Sequence, residues 1–349
     1  MTHIVITLGP STTTKESIQR VLKAGVDGIR FPASKFSPEE LAVRAVEVDA
    51  IAREMGCRPD LYLDLPGSKT RFSNDDGFDL RGLPRVRVNF AATPADRDAE
   101  LPELGLTGAG FSRPLEPGDV MVVGDGEDAL RVTEIAADHC VAEPLTSGVL
   151  GRKRGVMVRG KMPPVTALTE QDAAALAKLP GTIFSAVILS FVESAATIAQ
   201  AQKIMETAGG GRPLPGIIAK VETRSGVQAV TEIAKAADVV LLGRGDLLLD
   251  VGEIDFYDAG KAVLKEAAKT GAPVIVGTQL LNSLSNSWLP HRSELAYVSH
   301  LLEKGVDGVL LSTETTVGRQ PVRTVELLRE LMDRYGSGRP TTSLFPSRA

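Results

Sequence analysis

Eight short runs of Val, Ile and Leu recur along the chain, and each run ends in a turn. Helical patterns follow most of them, so strands and helices alternate. Near-continuous apolar strands are typical of a parallel sheet that is covered on both faces. Eight such repeats predict an α/β fold in which the sheet closes into a (β/α)8 TIM barrel. The predicted strands are Ile4–Leu8, Gly28–Phe31, Leu61–Leu65, Ala186–Ser190, Gly216–Ala219, Val239–Leu242, Pro273–Val276 and Gly308–Leu311.

One segment, between about residues 72 and 158, interrupts this alternation with short strand-like pieces rich in Gly, Pro, Asp and Arg. It predicts a small β-rich domain inserted after the third barrel strand. A lid over the barrel mouth and a structural appendage both fit this pattern. The predicted divisions are a barrel at 1–71 and 159–335, a lid at 72–158, and a flexible tail at 336–349 rich in Ser, Pro, Gly and Thr.

Composition excludes several classes of partner. Aromatic residues make up only 4% of the chain and the formal net charge is −5, which argues against nucleic-acid and anionic-membrane surfaces. No apolar run approaches the roughly 20 residues of a membrane helix. The start has no signal-peptide pattern, and Cys57 and Cys140 match no metal-ligand spacing. We therefore expect a cytoplasmic protein with two small buried thiols.

Polar side chains follow seven of the eight predicted strands, where barrel active sites form. This convergence predicts a functional site at the carboxyl rim, although solvated strand-end charges are the simpler alternative. The residues are Arg30, Ser34, Asp64, Lys69, Arg71, Ser190, Lys220, Glu222, Arg244, Asp246, Thr278, Gln279, Ser312 and Glu314.

Lys220 and Glu222 lie two residues apart on one strand, so their side chains share a face. A second carboxylate, Asp246, follows the next strand within Gly-Arg-Gly-Asp. Mg²⁺ prefers one or two carboxylates plus substrate oxygens and water, which these acids fit. Lys220 would then neutralise charge on a transferring phosphoryl group. A Lys220–Glu222 ion pair without metal is the alternative. A lone Thr such as Thr278 at a strand end is more often a helix N-cap than a site residue.

The order of these motifs resembles the pyruvate kinase family over about residues 2–335. The opening strand with its Gly-Pro, the block from the third strand's Asp to an Arg, and the Leu-Thr-Glu-x-Asp after the lid all follow the family pattern. The matching stretches are Ile4–Pro10, Asp64–Arg71, Leu168–Asp172, Ser190–Val192, Ile217–Glu222, Gly243–Leu247, Pro273–Gln279, Arg292–Glu294 and Leu311–Thr315.

The resemblance implies phosphoryl transfer between an enolpyruvate-type oxo acid (phosphoenolpyruvate or pyruvate) and ADP or ATP. By position, Arg30 resembles the substrate-phosphate arginine and Lys220 the transition-state lysine. Glu222 and Asp246 resemble the ligands of Mg²⁺ or Mn²⁺. The positions around the oxo acid are Gly245, Asp246 and Thr278, the last also on the proton route to the enolate carbon.

The nucleotide positions implied by the resemblance are Arg71 and Arg154, with Ser34 and Lys35 in the block after Arg30. Retained arginines favour a kinase over an Mg²⁺-dependent oxo-acid lyase or aldolase, which needs no nucleotide lid. The intact rim argues against a non-catalytic regulatory paralogue that only binds an oxo acid.

Two departures concern K⁺. Pro32 replaces an asparagine that helps to bind K⁺, and Lys69 stands where K⁺-dependent members carry Glu. An ammonium can stand in for a monovalent cation. We therefore expect that K⁺ is not required and that Lys69 is an internal cation paired with Asp64; a solvated Lys69 at the lid hinge is the alternative.

The printed sequence ends about where the family's C-terminal domain begins, a domain that carries allosteric sites and part of the tetramer interface. A minimal pyruvate kinase and a specialised paralogue acting on another oxo acid both fit this pattern. A homodimer is left open.

Overall fold

The computed structural model describes residues 2–108, 110–111, 113–161, 168–336 and 344–345. The predicted tail therefore lies outside the described residues, except for Gly336, Leu344 and Phe345. The chain forms two compact units. The barrel unit comprises Met1–Gly67, Thr166–Arg244 and Gly260–Ala349, and the inserted unit comprises Ser68–Val165 and Gly245–Ala259. The domain boundaries drawn from the sequence stay a prediction.

The strands in chain order are β1 His3–Thr7, β2 Gly28–Pro32, β3 Asp60–Asp64, β4 Arg71–Phe72, β5 Phe78–Asp79, β6 Val86–Asn89, β7 Glu103–Thr107, β8 Val120–Val123, β9 Asp128–Ile135, β10 His139–Pro144, β11 Val149–Leu150, β12 Val156–Val158, β13 Ala186–Leu189, β14 Gly216–Val221, β15 Val239–Gly243, β16 Val274–Gly277 and β17 Gly308–Leu311.

The helices are α1 Lys15–Lys23, α2 Pro38–Glu54, α3 Glu170–Lys178, α4 Ala195–Gly209, α5 Arg224–Gln228, α6 Val230–Ala236, α7 Arg244–Val251, α8 Phe256–Thr270, α9 Arg292–Glu303, α10 Thr313–Thr316 and α11 Pro321–Tyr335, with 3-10 helices at Pro10–Thr12 and Asn282–Ser285.

The barrel unit is built on a closed parallel sheet in the order β1-β17-β16-β15-β14-β13-β3-β2. Every residue of β1, β13 and β15 is buried, as expected for strands covered on both faces. Val5, Ile218, Leu241 and Ile275 belong to the cluster of buried residues within this unit. All eight predicted strands are barrel strands, so the predicted TIM-barrel fold is confirmed.

Polar caps fix where several barrel helices begin. Ser37 accepts the N–H of Glu40 at 3.2 Å, and the Glu40 side chain accepts the N–H of Ser37 at 2.7 Å. This reciprocal capping box, with Pro38 in the first turn, satisfies donors that a helix start leaves open. The helical pattern after β14 forms two helices, α5 and α6, that meet at Ala229.

The inserted unit holds a seven-stranded sheet in the order β12-β8-β9-β10-β6-β7-β4 and a two-stranded sheet of β11 and β5. Its core includes Val88, Leu104, Met121 and Leu130, all completely buried. Strands β6, β8, β9 and β10 are among the short strand-like pieces that the sequence indicates in this segment.

The two thiols differ in burial, so the prediction that both are buried is wrong for one of them. Cys140 is buried, and burial raises the pKa of its thiol to about 12. Cys57 is only partly buried. No helix in the described part of the chain has both the length and the apolar character needed to cross a bilayer.

Candidate active site

Arg30 on β2 is held by three neighbouring groups of the barrel unit. Its Nε donates to Thr7 Oγ1 at 2.9 Å, its Nη2 donates to Ser312 Oγ at 3.4 Å, and its Nη1 lies 3.4 Å from Asp64 Oδ2. Thr7 and Asp64 end β1 and β3, and Ser312 directly follows β17. The Arg30 side chain is still 13% exposed, so it lies fixed at the carboxyl rim and open to a further anionic partner.

Lys220 and Glu222 form a close ion pair at the end of β14, with Lys220 Nζ 2.6 Å from Glu222 Oε1. The backbone N–H of Phe191 donates to Glu222 Oε2 at 3.1 Å. The Glu222 side chain is only 2% exposed, and Lys220 is 13% exposed. The predicted shared face is therefore present, and the ion pair offered as the alternative to a metal site is also present.

Glu222 retains the capacity to bind a cation. A carboxylate has two oxygens and about four lone-pair positions, so each paired oxygen can accept a second partner. Gly243 makes the room for this side chain, because a Cβ at that position would lie 2.6 Å from Glu222 Cγ. The chemistry of this group therefore fits a divalent-metal ligand as well as an ion pair.

Thr278 lies in a strained turn directly after β16. Its φ is +76° and that of Gln279 is +52°, a region that a β-branched residue rarely adopts. Leu281, not Thr278, occupies the cap position of the 3-10 helix that follows, so the N-cap interpretation of Thr278 is wrong.

Arg244 holds the backbone of this turn in place. The Arg244 Nη1 donates to the carbonyl of Thr278 at 2.9 Å, and its guanidinium lies 4.7 Å from the centre of the Tyr297 ring. Burial lowers the pKa of Arg244, and electrostatic interactions with Tyr297 and Glu314 oppose that shift. The residue therefore has a positioning role that the sequence did not reveal.

Glu314 fixes the loops after β16 and β17. Its side chain is completely buried and accepts the N–H groups of Leu280 and Leu281 at 3.1 Å and of Ser312 at 2.8 Å. The sequence identified Glu314 only as a rim residue. The only sequence signal for Glu314 was its position shortly after a buried strand. That position did not indicate which backbone N–H groups its carboxylate would accept.

In the inserted unit, Lys69 forms an ion pair with Asp246 through its Nζ and Asp246 Oδ1. Both side chains are largely buried, at 12% and 15% exposed. A Cβ at position 155 would lie 2.2 Å from Lys69 Cε, so Gly155 gives the lysine its room. The prediction that Lys69 pairs with Asp64 is wrong, because the Lys69 ammonium pairs with Asp246 instead. The alternative of a solvated Lys69 is also wrong, because the side chain is only 12% exposed.

Two further cations of the inserted unit, Arg71 and Arg154, interact electrostatically with charged groups near Asp246. Burial lowers the pKa of Arg71, with Asp246 opposing and Arg154 adding to the shift. Arg154 Nη2 lies 2.6 Å from Glu127 Oε2. Burial also raises the pKa of Asp125, and the charge of Asp246 adds to it.

Three other residues were predicted to belong to the site. Ser34 and Lys35 are exposed in the turn between β2 and α2, and Gly245 lies in the first turn of α7. Their substrate and nucleotide roles stay predictions. Within the described ranges, no group of three or more His, Cys, Asp or Glu side chains is arranged to hold a metal.

A closed (β/α)8 barrel with anchored cations at the carboxyl ends of its strands defines a barrel enzyme that handles an anionic substrate. The family described as "Pyruvate kinase, barrel domain" matches residues 1–325. The chain therefore belongs to the pyruvate kinase family, and it is a phosphotransferase of the kinase type.

Individual relatives agree with this assignment. The chain is 31% identical over 333 residues to pyruvate kinase II of Salmonella typhimurium, covering 93% of this chain and 68% of that protein. It is 30% identical over 334 residues to the pyruvate kinase of Haemophilus influenzae, with 93% and 68% coverage. With the pyruvate kinase of Aeropyrum pernix it shares 28% over 331 residues, with 95% and 70% coverage.

Proposed function

We propose that this protein transfers a phosphoryl group between phosphoenolpyruvate and ADP, in a reaction that depends on Mg²⁺ or Mn²⁺. The single observation that carries the proposal is the Lys220–Glu222 pair at the end of β14, in which an ammonium and a buried carboxylate lie 2.6 Å apart. Positioned cations and metal ligands provide most of the catalysis of phosphoryl transfer, and this pair offers one of each.

The proposed metal ligands are Glu222 and Asp246. Each of these carboxylates also pairs with a lysine, Lys220 and Lys69 respectively, so a metal ion would bind through the lone-pair positions that the lysine does not use. When bound, the divalent ion neutralises charge on phosphoryl and oxo-acid oxygens.

The proposed substrate residues each have one task. Arg30 binds the phosphate of the oxo acid, with its guanidinium held by Thr7 and Asp64. Lys220 stabilises charge that develops on the transferring group. Thr278 lies on the route of the proton to the enolate carbon, and the backbone at Gly245 borders the oxo acid.

The proposed nucleotide residues are Arg71 and Arg154, with Ser34 and Lys35 as further contacts. Burial makes the Arg71 guanidinium less hydrated and lowers its pKa. A partly desolvated guanidinium forms strong charge-assisted hydrogen bonds to phosphate. The cytoplasmic location and a homodimeric state stay predictions.

A coupled assay tests the proposed reaction. We expect pyruvate to form from phosphoenolpyruvate and ADP when Mg²⁺ is present, with little turnover after chelation of the metal. The control replaces phosphoenolpyruvate with other phosphorylated enol or oxo acids at the same concentration. Turnover of one of those compounds, with none of phosphoenolpyruvate, would contradict the proposed substrate and identify a specialised paralogue.

The Lys69–Asp246 ion pair leads to a prediction about K⁺. We expect wild-type activity in tetramethylammonium buffer to change little on addition of KCl, because Lys69 supplies a cation that cannot dissociate. Lys69→Glu places a second carboxylate beside Asp246, and the two negative charges repel each other. We therefore expect kcat to fall on the order of 10²-fold.

The control for this charge reversal is Lys203→Glu, an exposed position on α4 that should keep wild-type activity. Partial recovery of the Lys69→Glu enzyme on addition of KCl would support the internal-cation role. Strong activation of the wild-type enzyme by K⁺ would rule that role out.

A further inference from the structure

A cavity of about 640 Å³ lies in the barrel unit, and the residues that line it are not those of the candidate active site. Its walls come from α1, from the segment that follows α10 and from the start of α11. Three arginines line it, Arg20, Arg319 and Arg323, against one acidic residue, Glu326. The described lining is therefore strongly basic in a protein whose formal net charge is −5.

Arg20 and Arg319 are exposed, so both guanidinium groups are accessible to a solute. Arg323 is more constrained. Its Nε donates to the carbonyl of Trp288 at 3.2 Å, and its guanidinium lies 4.2 Å from the centre of the Trp288 ring. Arg323 thus holds the indole in the cavity wall, while Arg20 and Arg319 supply accessible positive charge.

Trp288 adds an aromatic surface to the same cavity. It is 68% exposed, which is unusual for so large an apolar side chain. Arg323 covers part of the ring, and the exposed remainder provides a flat apolar surface for a ligand.

Backbone donors complete the lining. Gln320 precedes α11 without forming a side-chain cap, and Val322 and Arg323 belong to the first turn of that helix. N–H groups in a first helical turn have no intrahelical acceptor and are available to an anion. Gln320 Nε2 donates to the carbonyl of Ser287 at 2.9 Å, which fixes the loop that carries Trp288.

We propose that this cavity binds a phosphomonoester that carries a flat ring. Its phosphate is bound by Arg20 and Arg319, and its ring lies against Trp288. The volume is within the range of small-molecule sites, roughly 300–1,000 Å³, and is far larger than phosphate alone requires. Guanidinium groups are the preferred partners of phosphate, and aromatic faces bind planar groups. The inference is independent of the proposed catalytic reaction.

The intrinsic fluorescence of the protein tests this proposal directly, because Trp288 is the only tryptophan in the chain. The probe is phenyl phosphate, with phenol and inorganic phosphate as its two halves, all at constant ionic strength. We expect a saturable change in Trp288 emission with phenyl phosphate and weaker binding of each half.

Two variants and a matched control assign the signal to the cavity. We expect Arg20→Gln and Arg319→Gln each to raise the dissociation constant of phenyl phosphate by about tenfold, the lower end of what one hydrogen bond to a charged group contributes. The control is Arg58→Gln, which removes an exposed arginine outside the cavity and should leave the dissociation constant unchanged. Circular dichroism of each variant verifies that it is folded.

Three results would overturn the proposal. The first is no saturable change with phenyl phosphate. The second is equal affinity in wild type, Arg20→Gln and Arg319→Gln, which would place the probe elsewhere, for example at Arg30. The third is an emission change with protein concentration alone, matched by self-association in analytical ultracentrifugation, because a second copy would then cover Trp288.

Discussion

Lys220→Met is expected to lower kcat by on the order of 10²–10³-fold or more, the usual cost of losing a group aimed at transition-state charge. The Lys220 ammonium is only 13% exposed and pairs with a buried carboxylate, so solvent cannot replace it. Methionine has a similar length and no charge. Binding of the oxo acid should stay largely intact, because Arg30 is held by other partners.

The measurement is steady-state kinetics with phosphoenolpyruvate as the varied substrate. A control variant, Lys203→Met, removes an exposed lysine from α4 and should behave as wild type. Thermal unfolding is compared as well, because Glu222 loses its ammonium partner in the mutant. A change confined to KM would show that Lys220 is a ground-state binding residue.

Glu222→Gln and Asp246→Asn are each expected to abolish activation by divalent metal and to reduce turnover to background. Each amide has the shape of the acid that it replaces but lacks the negative charge that Mg²⁺ or Mn²⁺ requires. Each change also leaves a lysine without its carboxylate, Lys220 or Lys69 respectively.

Metal titrations of activity, together with Mn²⁺ binding followed by electron paramagnetic resonance, measure the two effects separately. Glu232→Gln, at an exposed position on α6, is the matched control and should titrate as wild type. Wild-type turnover of either mutant at limiting Mg²⁺ would refute the assignment of that carboxylate.

The barrel could be predicted because its strands carry their own signal. Runs such as Val239–Leu242 are apolar at every position, and β15 is buried along its whole length. Lys220 and Glu222 share a face because of strand periodicity alone, so their proximity followed from local sequence. Motif order then provided the family.

Contacts between distant segments were not predictable in the same way. Lys69 and Asp246 are 177 residues apart, and nothing in either local sequence specifies the other. The buried Glu314 likewise binds backbone N–H groups, which have no sequence signature. The positive φ of Thr278 went unforeseen because it opposes the intrinsic preference of a β-branched residue.

The hydrogen bonds of Arg30 have a consequence for the entropy of substrate binding. A free arginine side chain loses about 2 kcal/mol of rotamer entropy when it is immobilised. Thr7, Asp64 and Ser312 already restrict the Arg30 side chain in the folded protein, so much of that loss occurs during folding. A phosphate that arrives at this guanidinium meets a preorganised receptor, and more of the attraction between the charges appears as affinity.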